Sequence, residues 1–271
     1  MSRVNDYFEK VAVLQAAINA GKAILEIYQK NDFEPELKSD NSPLTIADQE
    51  SHNILEKCLN AQFKLPILSE EGRSVSFEER KKWKTYWLID PLDGTKEFIN
   101  RNGEFTVNIA LIEDNIPVEG IIYVPMSRTL YFGSKSHGAF KIENCPNNLN
   151  EVDRVDIVKL PIMTSRDEYV IVSSRSHMSD RILDYVTDAE KQHNNVGLIS
   201  KGSSLKFCMI AEGKANVYPR FSPTMEWDTA AGDAICRAAG FYVLDYTTKE
   251  ELRYNKSELL NPPFIVCNSI G

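Results

Sequence analysis

The sequence predicts an α/β protein, and three patterns in its 271 residues carry that prediction. Apolar residues recur at intervals of three or four from Tyr7 to Tyr28. Short strands follow one another closely between Tyr86 and Ile142. From Tyr169 to Ala239, strands alternate with helices, the mark of layered α/β architecture.

The first helix is written by Tyr7, Val11, Leu14, Ile18, Leu25 and Tyr28, with Gly21 on the same stripe. A second is expected over residues 47–59, its apolar face formed by Ile54, Leu55, Cys58 and Leu59. Pro35, Ser42 and Pro43 punctuate the polar stretch between them. Residues 86–89 read as a buried strand ending at Asp90. Phe105, Val107, Ile109 and Leu111 alternate as a half-buried strand does, and 118–124, 129–132 and 138–142 extend an antiparallel meander.

The polar stretch 143–153 has no periodicity and marks the seam between an N-terminal α+β half, 1–153, and a C-terminal α/β half, 154–271. In the second half a strand is expected at 169–172, with helices over 179–189, 203–211 and 227–239.

Composition narrows the partners. With 42% hydrophobic residues the chain has ample material for a core, and its net charge of −8 argues against a nucleic-acid polymer as its partner. Five widely spaced cysteines show no metal or redox spacing and predict free thiols in a reducing compartment. The opening MSRVNDYFEK lacks an apolar core, which predicts no secretory signal, and no unbroken run of 18 apolar residues predicts a membrane span. The expected place is the cytoplasm, or the inner face of the cell membrane as a peripheral protein.

Asp90-Pro91-Leu92-Asp93-Gly94-Thr95 is the most informative segment. A strand delivers two aspartates three residues apart, Gly94 permits a tight turn, and Thr95 adds a hydroxyl. Hard divalent cations such as Mg²⁺ take oxygen ligands of this kind, the Leu92 carbonyl included. Two aspartates beside Pro and Gly read equally as a capped turn. Further carboxylates tilt the reading toward a cation: Glu70 and Glu71 in LSEEG, and Asp228 where an apolar helix begins. Each also has a local explanation, a solvated turn for Glu71 and a helix-dipole partner for Asp228. Thr45 and Asp48 resemble a capping box, which by itself accounts for Asp48.

WLIDPLDGTKEFINRNGEFTVNIALIE, the preceding LSEE and the later MEWDTAAGDA together resemble the inositol monophosphatase superfamily. Within it, RNGEFTVNIALI, GSSLKFC and YPRFSPT are similar to the bisphosphate nucleotidase branch. The resemblance implies a layered α/β/α/β/α sandwich of the sugar-phosphatase type. It implies Mg²⁺ held by Glu70, Asp90, the Leu92 carbonyl, Asp93 and Asp228, with Glu71 behind them, and water activated by Asp48 and Thr95. Glu70, Leu92, Asp93, Gly94, Thr95 and Asp228 would surround the phosphate, while Ser174, His177, Gly202 and Lys206 face a small-molecule nucleotide. The implied reaction converts adenosine 3′,5′-bisphosphate to AMP and phosphate, with inhibition by Li⁺.

The rivals are inositol monophosphate, fructose 1,6-bisphosphate or another sugar phosphate as substrate, and a non-catalytic nucleotide-binding module. The inositol branch carries a sugar-reading glutamate seven residues before the aspartate matching Asp228. Phe221 stands there in this chain. Tyr218 and Arg220 read either as base and phosphate contacts or as a packed ring and a solvated cation. His52, His137 and His193, Trp83 and Trp87, and the run Lys81, Lys82, Lys84 are expected to be structural.

Overall fold

The computed structural model describes residues 4, 9–29, 36–37, 43–44, 46–149, 155–162, 167–175 and 179–268. The first helix, α1 (Val11–Tyr28), and the second, α2 (Ile46–Gln62), pack against each other. Of the α1 stripe, Leu14, Ile18 and Tyr28 are buried and Val11 and Leu25 half-buried, and Ile24, outside the expected stripe, is fully buried as well. Gly21 lets α1 lie directly on the Tyr123 ring, where a Cβ would collide. Helix α1 passes a length-and-hydropathy test for a membrane span, but Gln15, Lys22 and Glu26 interrupt it and its apolar side is part of the core against α2. Tyr7, Pro35, Ser42 and Thr45 lie outside the described residues.

After the small ribbon of β1 (Glu36–Leu37) and β2 (Pro43–Leu44), the chain builds a seven-stranded sheet. Its strands are β3 (Ile67–Ser69), β4 (Thr85–Asp93), β5 (Thr106–Glu113), β6 (Ile116–Val124), β7 (Thr129–Ser134), β8 (Gly138–Ile142) and β9 (Ile157–Leu160), in that spatial order. Short helices α3 (Phe77–Arg80) and α4 (Thr95–Ile99) flank β4. Only the β3–β4 pair is parallel, so the meander expected from the sequence is present. Strand β9 carries the sheet past position 153, where the sequence places the seam between halves.

A five-stranded sheet follows, with order β11-β10-β12-β14-β13. It is formed by β10 (Tyr169–Ser174), β11 (Val196–Lys201), β12 (Val217–Arg220), β13 (Tyr242–Asp245) and β14 (Phe264–Cys267), with helices α5 (Asp180–Glu190), α6 (Leu205–Ala211) and α7 (Glu226–Ala238). Helices α1 and α2 cover one face of the large sheet. Helices α6 and α7 fill the space between the sheets, and α5 covers the outer face of the small one. This is the α/β/α/β/α sandwich.

Side-chain alternation explains how β4 serves both cores. Trp87 and Ile89 join the core under α1 and α2, while Tyr86 and Leu88 join the core under α7. Asp90, two residues beyond Leu88, continues toward α7. Strand β4 does not end there, as the sequence suggests, but runs to Asp93 with a register shift. Asp90 pairs with Asn108 and Asp93 with Thr106, so three steps on β4 match two on β5. The extra residue is a β-bulge that returns Asp93 to the same face as Asp90 and swings Leu92 into the opposite core.

Candidate active site

The bulge is pinned from the α2 side, where the Ser51 hydroxyl donates to the Pro91 carbonyl at 2.6 Å. Within it, the Leu92 N–H donates to Asp90 Oδ1 at 3.1 Å. Gly94 takes a left-handed φ of 92° to open α4, a conformation that glycine adopts without strain. The Thr95 hydroxyl then points back to the Leu92 carbonyl at 3.4 Å. Asp48 lies in the first turn of α2, 2% exposed, and its charge acts on Asp90.

Carboxylates from three elements converge here. Oxygens of Glu70, after β3, Asp90 on β4 and Asp228 in the first turn of α7 all lie within 4.8 Å of one another. Asp228 also caps its helix by accepting the Met225 N–H at 2.8 Å, so the helix-start and site readings hold together. Burial raises the Asp90 carboxyl well above the usual range, and the charges of Glu70, Asp93, Asp228 and Asp48 raise it further. Burial, then Asp93 and Glu70, push Asp228 up to about 8. Like charges gathered out of water are stable only when protonated or bridged by a cation. Among the described residues neither Asp90 nor Asp228 forms an ion pair, and oxygen donors in such a cluster fit Mg²⁺.

Asp93 faces the seam between the sheets. Its Oδ2 accepts the hydroxyls of Ser203 and Ser204, each at 2.7 Å, and the Asn108 amide at 3.3 Å. Asn108 also donates to Ser204 at 2.8 Å, and Thr106 pairs with Ser203 at 2.6 Å. All four lie in motifs that carry the family resemblance, yet none is expected from the sequence to belong to the site. The available signal was polar Thr106 and Asn108 on the buried side of an otherwise apolar strand.

Beside the carboxylates lies a cavity of about 110 Å³, lined by Asp93, Gly94, Ser174, Ser203, Lys206, Tyr218, Arg220, Thr224 and Asp228 among others. Ser174 and Arg220 occupy the C-terminal ends of neighbouring strands β10 and β12, where open α/β sheets place their ligands. Lys206 is 4% exposed and gives two of its three N–H donors to the carbonyls of Lys201 and Ser203. Burial lowers its pKa to about 8, partly opposed by the charge of Asp93.

Other expected contacts differ. The Gly202 N–H is occupied by Glu104 Oε2 at 2.7 Å, so its amide is already satisfied within the protein. A Cβ there would sit 2.7 Å from Glu97 Cγ, which leaves no room for a side chain. Tyr218 is a packed ring, edge-on to Phe207 at 5.4 Å and Phe264 at 5.6 Å. Arg220 is held by the carbonyls of Ser222 and Pro223. His52, expected to be purely structural, lies near the acidic cluster: its Nδ1 meets Ser69 Oγ at 2.9 Å, one residue before Glu70. Lys81, Lys82 and Lys84 are exposed and Trp83 and Trp87 pack, as expected. His177 lies outside the described residues.

Residues 5–268 match the model of the inositol monophosphatase family, and the chain belongs to that family. Among its relatives is the 3′(2′),5′-bisphosphate nucleotidase CysQ of Salmonella typhimurium, 43% identical across 94% of this chain and 97% of that protein. The crystal structure of CysQ from Bacteroides thetaiotaomicron superimposes with a TM-score of 0.85 at 48% identity, covering 95% of this chain and 96% of the other. An IMPase/NADP phosphatase complexed with Mg²⁺ and phosphate shares the fold, with a TM-score of 0.69 at 17% identity over 93% of this chain and 87% of that one.

Proposed function

We propose that this chain is a Mg²⁺-dependent 3′(2′),5′-bisphosphate nucleotidase that hydrolyses the 3′-phosphate of adenosine 3′,5′-bisphosphate to AMP and phosphate. The observation that carries the reading is the convergence of Glu70, Asp90 and Asp228 beside a cavity that also presents Lys206 and Arg220. Its likeness to bisphosphate nucleotidases over nearly the whole chain supports the substrate class.

Glu70, Asp90, Asp93, Asp228 and the Leu92 carbonyl would hold the cation. When bound, Mg²⁺ supplies charge stabilisation at the phosphoryl group and a more acidic water. Asp48 and Thr95 orient the attacking water, and Asp48 accepts its proton. The new P–O bond forms to that water as the bond to the ribose 3′-oxygen breaks; the departing oxygen takes up a proton from solvent, balancing the one passed to Asp48, and no phosphoenzyme is required. The backbone at Gly94 and Thr95 receives the phosphate. The third N–H of Lys206 and the Arg220 guanidinium meet the nucleotide's other phosphate, with Ser174 beside them.

Phe221 supports a nucleotide over an inositol phosphate. Its ring packs on Tyr246 at 4.8 Å and under the Arg181 guanidinium at 4.4 Å, and it offers no acceptor to sugar hydroxyls. The test compares turnover of adenosine 3′,5′-bisphosphate with inositol 1-phosphate at saturating Mg²⁺. A clear preference for the nucleotide is expected; equal or reversed preference would sink the assignment.

A further inference from the structure

Three carboxylates that repel one another are held within 4.8 Å by elements far apart in sequence. Something must keep Glu70 and Asp228 in place. The segment 254–261, which crosses between the loop after Glu70 and the start of α7, makes contacts of the required kind on both sides.

On the first side stands Arg80, 3% exposed. Its Nε donates to the Val75 carbonyl, in the loop leading away from Glu70, at 3.2 Å. Its Nη1 reaches Asn255 Oδ1 at 2.9 Å and the Lys256 carbonyl at 3.0 Å, and Asn255 Nδ2 donates back to the Arg80 carbonyl at 2.8 Å. On the second side stands Glu226, a fully buried carboxylate two residues before Asp228. It accepts the N–H groups of Asn255 and Lys256 at 2.7 and 3.0 Å, and Lys256 Nζ at 2.7 Å. Asn255 and Lys256 therefore join Arg80 to Glu226. Further along, Asn261 Nδ2 donates to the Met225 carbonyl at 2.8 Å and Thr229 Oγ1 at 3.0 Å, bracketing Asp228.

We propose that this strap is a positioning device for the cation site: it fixes the Glu70 loop through Arg80 and the Asp228 turn through Glu226 and Asn261. The proposal rests on the cation-binding reading given above. Burying a cation and a carboxylate is costly unless oriented partners satisfy them, and a satisfied buried network has a single geometry. That rigidity opposes the mutual repulsion of the ligands and prepares them for the ion. Groups behind metal ligands characteristically set affinity by about 10- to 100-fold.

The test uses the full chain and Mg²⁺ alone as the first probe. Lys256→Met and Asn261→Ala are measured beside Glu226→Gln, because Glu226→Gln alters a fully buried carboxylate. Mg²⁺ affinity is read by calorimetric titration, and the Mg²⁺ requirement for half-maximal activity is read separately. Ile182→Ala on α5 controls for general loss of stability. Folded Lys256→Met and Asn261→Ala proteins are expected to bind Mg²⁺ about tenfold more weakly, with KM for the nucleotide at saturating Mg²⁺ changed less than about twofold. Ile182→Ala should leave Mg²⁺ affinity unchanged. Wild-type Mg²⁺ affinity in both folded strap variants overturns the proposal. Absence of Mg²⁺ binding by the unaltered protein overturns instead the cation reading on which it rests.

Discussion

Ser204, at the start of α6, donates a 2.7 Å hydrogen bond to Oδ2 of Asp93 at the end of β4. Asp93 belongs to the large sheet and Ser204 to the helical layer between the sheets, and Asp93 itself lines the cavity of the candidate site. Asn108 ties the same pair from β5 through donors to both. The position of Asp93 is thus set jointly by the large sheet and by the turn leading into α6.

Removing those hydroxyls should loosen Asp93 without emptying the cation cluster. A hydrogen bond to a charged group contributes about 1.5–3 kcal/mol. Ser203→Ala with Ser204→Ala is therefore expected to lower kcat/KM by about 10- to 100-fold while the far-UV circular dichroism spectrum stays native. Steady-state kinetics at saturating Mg²⁺ checks this; an unchanged kcat/KM would separate Asp93 from the reaction.

The parts of the site legible in the sequence are those whose causes lie close together in the chain. Asp90, Pro91, Asp93 and Gly94 announce a strand, a stiff turn and a glycine conformation within a few residues. The bulge that puts Asp90 and Asp93 on one face is invisible there, because it exists only in the register against Asn108 and Thr106. The family resemblance implies a nucleotide contact for Gly202, yet its amide faces Glu104, a partner 98 residues away. The four-residue strands β12, β13 and β14 are too short for a period to show. The strap escapes for a similar reason, since Asn255 and Asn261 have the composition of an ordinary surface loop and gain their meaning from Arg80 and Glu226.

Asp90→Asn keeps the shape of the side chain and removes one charge from the centre of the cluster. Metal-centred charge stabilisation of several kcal/mol is lost with it, so kcat should fall about a thousandfold or more. The same change relieves repulsion, and the cation-free protein should melt higher than the parent at pH 8. Differential scanning calorimetry and initial rates on one preparation test both halves. Substantial retained activity would overturn the ligand assignment.

Removing divalent cations should make stability fall with pH. Asp228 is pushed up to about 8 from 3.8, so between these values the folded chain holds a proton that the unfolded chain releases. Stability of the cation-free protein then declines as pH rises across that window. Mg²⁺ binds the ionised carboxylates and should reverse the slope. At 100-fold over its dissociation constant it contributes about 2.7 kcal/mol, or roughly 5–10 °C in Tm. The shift should be larger at pH 8 than at pH 5.5. A Mg²⁺-induced shift that is equal at both values would count against the carboxylate site.

Lys206 supplies the opposite sign. Burial lowers its pKa to about 8 from 10.5, so above pH 8 the folded chain loses a proton that the unfolded chain keeps. Stability from this group therefore rises between about 8 and 10.5, while attraction for a phosphate fades over the same range. For the free enzyme, kcat/KM on adenosine 3′,5′-bisphosphate should bend downward above about pH 8. Lys206→Met should start lower at pH 7 and show no bend from this group. An arginine substitution offers no simple rescue, because the ammonium already sits against two carbonyls and 5.5 Å above the Tyr218 ring, where a planar fork does not fit. A substrate lacking the 5′-phosphate gives the sharper comparison. If Lys206 meets that phosphate, adenosine 3′-phosphate should be hydrolysed with little difference between the parent and Lys206→Met. A comparable loss on both substrates would move Lys206 from reading the nucleotide to supporting the Ser203 turn.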